Sequence, residues 1–167
     1  MPLNKLREFL DQNNVKYRVI VHSRAYTAQE IASIAHIPGQ ELAKTVMIMM
    51  DNNLAMAVLP ASEHIDLGAL KSVARAESVR LATEFEFKDR FPECEAGAMP
   101  PFGNLYGMAV YVEAGLAKDE EIAFNAGSHT ELIRLALSDF MRLVNPRVAI
   151  FSARRLRPIA VGEDRTW

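Results

Sequence analysis

Leu42-Ala-Lys-Thr-Val-Met-Ile-Met-Met50, the turn Asp51-Asn-Asn53 and Leu54-Ala-Met-Ala-Val-Leu59 form the stretch on which the reading of this chain turns. Two apolar runs flank an Asx-rich turn, the pattern of a β-hairpin. Both runs are almost continuously apolar rather than alternating, so both faces of each strand are expected to be covered. The hairpin therefore reads as the centre of a sheet, not an exposed ribbon. One charged residue interrupts it: Lys44 stands just inside the first strand. Lysine is rarely buried without a partner. At the mouth of a strand it is placed to hold a phosphate or carboxylate as a point charge. The alternative is a lysine whose stem lies on the sheet while its ammonium reaches water.

Working outward toward the N-terminus, Leu3, Leu6, Phe9 and Leu10 recur at helical spacing and predict an amphipathic helix over Pro2 to Gln12. Tyr17, Val19 and Val21 alternate with Lys16, Arg18 and Ile20 as a short strand. Thr27 and Glu30 form a capping box that opens a helix through Ala35, and Pro38-Gly39 closes it.

Working toward the C-terminus, Pro60-Ala-Ser62 ends the second strand, and Asp66 starts a short helix carrying Leu67, Leu70, Val73 and Ala74. Val79 to Leu81 is a small strand. Thr83 and Glu86 form a second capping box, with Phe85, Phe87 and Phe91 behind it and Pro92 as the stop. Met108 to Val112 and Ile122 to Phe124 read as strands, the latter ended by Asn125-Ala-Gly127. Thr130 to Ala136 fits either period. Ser138 to Val144 reads as a helix stopped by Pro146. The expected fold is mixed α/β, with a curled, barrel-like mixed sheet surrounded by helices.

A chain of 167 residues fits one domain, and half its residues are hydrophobic, enough for a sizeable core. The net charge of −2 argues against non-specific binding to long nucleic acid, which needs many phosphate contacts. It leaves room for a specific grip on the end of one. Late arginines, Arg147, Arg154, Arg155, Arg157 and Arg165, are interrupted by Glu163 and Asp164 and read as a solvated tail. Cys94 is the single cysteine, so no intrachain disulfide or thiolate metal cluster forms. No apolar run reaches the roughly 18–20 residues of a membrane span. The polar N-terminus does not read as a signal peptide. A reducing, cytoplasmic setting is expected.

The second informative stretch is Cys94-Glu-Ala-Gly-Ala-Met-Pro-Pro-Phe-Gly103. Prolines fix φ and glycines permit positive φ, so this connector should hold one backbone shape. Ordered loops on a rigid scaffold are where binding and catalysis concentrate; the alternative is a plain surface corner. His129, beside Gly127 and Ser128, stands at the start of an element and could donate to a substrate, shuttle a proton or cap a turn. Cys94 lies between Glu93 and Glu95, whose charge should suppress its thiolate. No G-x-S-x-G elbow, phosphate loop or metal-ligand spacing occurs, so no protein nucleophile, cofactor or metal is expected. A glycine loop, a lysine and a histidine suit electrostatic and positional catalysis on a water nucleophile.

Ala43-Lys-Thr45, Ala57-Val-Leu-Pro-Ala61, Gly97-Ala-Met-Pro-Pro-Phe-Gly103 and Phe124-Asn-Ala-Gly-Ser-His129, in this order, resemble the YbaK/prolyl-tRNA-synthetase editing-domain family of free-standing aminoacyl-tRNA deacylases. The resemblance runs from about Leu3 to Pro146. It implies hydrolysis of the ester between a wrong amino acid and the terminal adenosine of a tRNA, with a small amino acid on tRNA(Pro) or a related tRNA as the expected substrate. It also implies a domain over 1–153 with a tail over 154–167. Lys44 matches the family lysine that holds the phosphate or ribose end. Gly97, Pro101 and Gly103 match its G-x-x-x-P-x-G loop, and His129 its pocket histidine. Lys44, Gly97 and His129 are thus the implied catalytic residues, and Thr45, Ala98, Met99, Pro101, Phe102, Gly103 and Ser128 the implied substrate contacts. Met47, Met49, Met99 and Phe102 are candidate pocket walls or core residues. Thr45, Ala98 and Pro100 depart from particular branches of the family and leave the amino acid open. The implied partner is the tRNA acceptor end, with a synthetase or an elongation factor as candidate protein partners and no DNA or membrane. The competing reading is a non-catalytic module that grips an acceptor end or a small carboxylate ligand through Lys44.

Overall fold

The computed structural model of the chain describes residues 3–25, 30, 33, 35, 37 and 40–154. The Thr27–Glu30 capping box, the Pro38-Gly39 stop and Arg155, Arg157 and Arg165 lie outside the described residues.

Helix α1 (Asn4–Gln12) buries Leu6 and Leu10 and leads to β1 (Tyr17–Val21). The central hairpin is β2 (Ala43–Met50) and β3 (Asn53–Pro60), paired without interruption from Ala43↔Pro60 to Met50↔Asn53. Its turn places Asp51 and Asn52 at φ 49° and 67°, the left-handed conformation that Asx residues tolerate in tight hairpins. Then come β4 (Glu63–Ile65), α2 (Leu67–Ala74), β5 (Val79–Leu81) and the short helix α3 (Glu84–Phe87). The Thr83–Glu86 capping box forms as expected. Arg80 grips the same Glu86 through both guanidinium NH2 groups at 2.8 and 2.7 Å and holds its carboxyl near pKa 2. The remaining elements are β6 (Ala109–Glu113), β7 (Glu121–Ser128), β8 (Glu131–Ala136), α4 (Leu137–Val144), β9 (Arg147–Ala149) and β10 (Ser152–Arg154).

The strands form a five-stranded sheet in the order β5-β2-β3-β6-β9, a three-stranded sheet β1-β8-β7 and a two-stranded pair β10-β4. The larger sheet is mixed, since β3–β6 and β6–β9 are parallel. The expectation of a curled, barrel-like sheet is incorrect. A barrel needs a closed ladder with a constant shear. Here β5 and β9 are the two edges of the larger sheet, and among the described residues one isolated parallel bridge, Leu42↔Ala123, joins it to the β7 edge of the smaller one. The ambiguous segment 130–136 is a strand because β1 and β7 pair with it on both sides.

Both faces of the hairpin are covered, as its composition indicates. Met47, Met56 and Val58 join the principal core with α1, α4 and β7. Ile48, Ala55, Ala57 and Leu59 pack on the other side with Leu70 of α2 and Phe151. Phe151 is delivered there by a buried carboxylate that the sequence reading did not single out. Glu113 is 5% exposed, and its Oε2 accepts the backbone N–H of Phe151 at 2.7 Å and of Ser152 at 2.9 Å. Hydrogen bonds to a charged group contribute about 1.5–3 kcal/mol. Glu113→Ala is therefore expected to lower unfolding stability by at least that amount in urea titration, and Glu113→Gln by less. An unchanged midpoint for Glu113→Ala would show that packing of Phe151 alone anchors β10.

Candidate active site

Strand β7 is the scaffold. Its regular pairing with β8 breaks at a bulge between Asn125 and Ser128, inside which Gly127 sits at φ +93°. Only glycine adopts that conformation readily. Gly127 donates its N–H to the carbonyl of Ala98 at 2.9 Å and accepts the N–H of Glu95 at 2.8 Å. The Gly/Pro loop is thus docked on β7 by two backbone bonds, and a third, from Ala98 N–H to Glu95 O at 3.0 Å, closes the turn within it.

The turn presents Gly97 to solvent at φ +81°. A Cβ built there would lie 3.6 Å from Cε1 of His129, so glycine and imidazole are neighbours. His129 is 6% exposed, and its Nε2 lies 2.7 Å from the carbonyl of Ala96. A carbonyl only accepts, so Nε2 carries the proton and donates it there, leaving Nδ1 as the acceptor position of the neutral ring. Ser128, half-buried, has its Oγ 3.3 Å from Thr130 Oγ1 and 3.4 Å from Glu131 Oε1.

The rest of the loop turns inward. Ala98, Met99, Pro101, Phe102 and Gly103 are all buried. Phe102 is wedged among Phe9, Phe124 and Phe140, with ring centroids 6.2, 5.4 and 5.4 Å away. Gly103 admits no side chain, since a Cβ would fall 2.6 Å from both Met108 O and Val110 Cγ2. Met47 is also in the core, while Met49 is half-buried. A cavity of about 80 Å³ lies behind the loop, lined by Phe87, Phe91, Cys94, Ala96 and Met99 among others. Two wider surface concavities, around Arg18 and Arg134 and around Arg75 and Tyr111, contain none of the sequence-selected residues.

Lys44 and Thr45 are half-buried on β2, opposite Leu59 and Val58. Burial lowers the pKa of the Lys44 ammonium, and Glu63 offsets part of that. The Leu42↔Ala123 bridge, with Ala123 N–H donating to Glu41 O at 3.0 Å, sets the start of β2 alongside β7. The structure therefore brings Gly97, Ser128 and His129 together at one end of β7 and places Lys44 on the strand that runs beside it.

Three features escaped the sequence reading. Arg24 bridges to Glu95 of the loop at 2.6 Å. His22 is buried at the end of β1, its Nδ1 donating to Ser23 O at 2.7 Å. Asn125 was read only as the end of a strand. Arg24 and Glu95 are 71 positions apart, and no local pattern joins them. Among the described residues no three His, Cys, Asp or Glu side chains gather to hold a metal ion, and no helix is long and apolar enough to cross a membrane.

Cys94 lies under Gly127, and its thiol is pushed up to about 11. Burial is the leading cause, a hydrogen bond with Tyr106 opposes it, and the charge of Glu93 adds a smaller push. The direction is the one the acidic neighbours suggested, but burial dominates.

The sequence matches the family model of the aminoacyl-tRNA editing domain over residues 22–143, and the chain belongs to that family. It is 26% identical over 152 residues to the multifunctional Ser/Thr-tRNA deacylase ProXp-y of Escherichia coli (strain K12), covering 88% of this chain and 90% of that protein. Its fold is similar to that of the hypothetical protein APE2540, with TM-score 0.80, 18% identity and coverage of 90% of this chain and 100% of that one. A crystal structure described as a candidate trans-editing enzyme for prolyl-tRNA synthetase gives TM-score 0.76 at 18% identity, covering 89% of this chain and 95% of that one.

With its pKa near 11, Cys94 is a neutral thiol at pH 8. Iodoacetamide at that pH is expected to leave Cys94 unmodified in the folded chain and to alkylate it in urea. Rapid modification of native protein would contradict the burial seen here.

Proposed function

We propose that the chain is a trans-acting aminoacyl-tRNA deacylase that hydrolyses the ester of a mischarged tRNA, with a small non-cognate amino acid on tRNA(Pro) or a related tRNA as its substrate. The observation that carries this reading is the double backbone bond at Gly127, which holds the exposed Gly97 turn beside His129 on the strand that flanks Lys44. Family membership and the named activity of the Escherichia coli relative support the substrate class.

In this mechanism Lys44 takes the terminal phosphate or ribose oxygens as a compact cation. The bare backbone at Gly97 lets the ester carbonyl approach closely, and backbone N–H groups of the turn receive its oxygen as charge develops. Water adds to the carbonyl carbon, the bond to the ribose oxygen breaks, and that oxygen leaves with a proton as the terminal hydroxyl. His129 fixes the turn through its bond to Ala96 and lines the aminoacyl pocket. Thr45 and Ser128 contact the substrate, while Ala98, Met99, Pro101, Phe102 and Gly103 act by setting the shape of the loop. Cys94 takes no covalent part. We assign the domain to 1–153 and a tail to 154–167, a cytoplasmic setting, and a synthetase or elongation factor as a candidate partner.

A panel of charged tRNAs, varied in amino acid and acceptor stem, tests the reading. Lys44→Ala is expected to lower kcat/KM by about 10²-fold or more, the scale of losing a charge-stabilising group. Lys44→Arg should recover little, because a planar fork does not replace a compact ammonium. The lowered pKa of Lys44 means that the folded chain binds its proton less tightly than the unfolded chain. Its charged form therefore opposes folding below the folded pKa, and that penalty is relieved as pH rises through the folded pKa and is gone by about 10.5. Lys44→Ala should accordingly be no less stable than the parent at pH 7. Gly97→Val should lose activity through strain at positive φ and an obstructed approach. Parent-level turnover by either variant removes that residue from the mechanism.

The net charge of −2 also sets an expectation for binding. The salt dependence of tRNA affinity should correspond to about two to four phosphates, whereas a slope near eight would reveal an extended tRNA-binding face.

A further inference from the structure

The bridge between Leu42 and Ala123 sets the registry of the seam between the two sheets. Leu42 and Ala123 point to the same side, where both join a small apolar cluster with Ala25, Ile37, Ala61 and Leu132. Side chains alternate along a strand, so the residues two positions on, Lys44 and Asn125, return to that side on their two strands. Lys44 and Asn125 therefore lie on one face of the seam, each two positions beyond the bridge, and Asn125 opens the bulge that leads to Gly127 and His129.

Asn125 is half-buried, yet its Oδ1 is shielded from solvent and has no hydrogen-bond partner among the described residues. Buried polar atoms are nearly always paired, and an orphan at the edge of a candidate site calls for a missing donor. Besides Asn125, the acceptors the site offers a substrate are the Nδ1 of His129 and the Ser128 hydroxyl, and the remaining groups donate. Lys44 only donates, the backbone at Gly97 offers N–H groups, and the Nε2–H of His129 is engaged by Ala96. An aminoacyl ester brings acceptors, its carbonyl and phosphate oxygens, but also one strong donor, its α-ammonium.

Resting on the deacylase reading above, we propose that Asn125 is a further substrate-binding residue whose Oδ1 accepts a hydrogen bond from the α-ammonium of the aminoacyl group. Lys44 and Asn125 then divide the substrate between them. The cation takes oxygens and the amide oxygen takes the amine. The pair selects esters of α-amino acids over other acyl esters of the same tRNA.

The test compares the aminoacyl-tRNA of the panel that is hydrolysed fastest with the same tRNA carrying the matching desamino acid, for serine 3-hydroxypropionate. Assays run at pH 6.5, where an α-amino group of pKa about 7.7–8.0 is protonated. For the parent, kcat/KM should fall about 10-fold on the desamino ester, the scale of one charge-assisted hydrogen bond. Asn125→Ala should lose about as much on the aminoacyl ester and nothing further on the desamino one, since both changes delete the same contact. Asn125→Asp keeps an acceptor in the same shape and should retain the preference, which decides the matter if Asn125→Ala does not fold. Equal losses on both esters, no loss at all, or a folded Asn125→Asp without the preference would each overturn the proposal while leaving the deacylase reading intact. A parent inactive on every charged tRNA would end both together.

Discussion

The candidate site hangs on Gly127, whose N–H and C=O are both given to the Gly/Pro loop instead of to a neighbouring strand. Gly127 lies within the bulge between Asn125 and Ser128, at positive φ, with no paired residue on β8. Two neutral backbone bonds contribute only about 1–3 kcal/mol together. The loop needs a second anchor, and Phe102 supplies it by burying its ring among three other phenylalanines. Burial on that scale is worth about 3–5 kcal/mol against alanine. The same ten-residue connector thus has an inward half that packs and an outward half, Ala96 and Gly97, left exposed next to His129.

The open arrangement of the sheets bears on the chemistry. In a closed barrel β2 and β7 would share a continuous ladder. Here, among the described residues, one bridge joins them and no ladder follows it. Polar side chains are rarely left inside a fully paired sheet, because burial without partners is costly. Lys44 and Asn125 stand where the pairing gives out.

What was legible in the sequence was local. The hairpin announced itself by two apolar runs about an Asx turn, and Thr83–Glu86 by the spacing of its cap. The loop was legible because Pro and Gly restrict or free φ at known positions. What depended on distant partners was not. Segment 130–136 became a strand only because β1 and β7 bracket it, and the curled sheet failed because nothing in the strand pattern fixes how far a ladder continues. Glu113, one position past the predicted strand, carries no signal until Phe151 and Ser152 arrive from 38 and 39 residues away. Asn125 carries no sequence signal of its own. Its orphaned oxygen exists only once the bulge and the seam are in place.

These features share a direction of trade between stability and use. A half-buried ammonium with a lowered pKa and an amide oxygen without a donor each weaken the folded state slightly, and they lie on β2 and β7. Scattered through a core they would be defects. Gathered on β7 and β2 they are held in place by groups that do favour folding: the Phe102 wedge, the His129–Ala96 bond and the apolar cluster at the bridge. The surrounding packing fixes the unsatisfied groups in position before any ligand arrives. Groups already fixed in position can be engaged without first being ordered, which is what positional catalysis requires of any site.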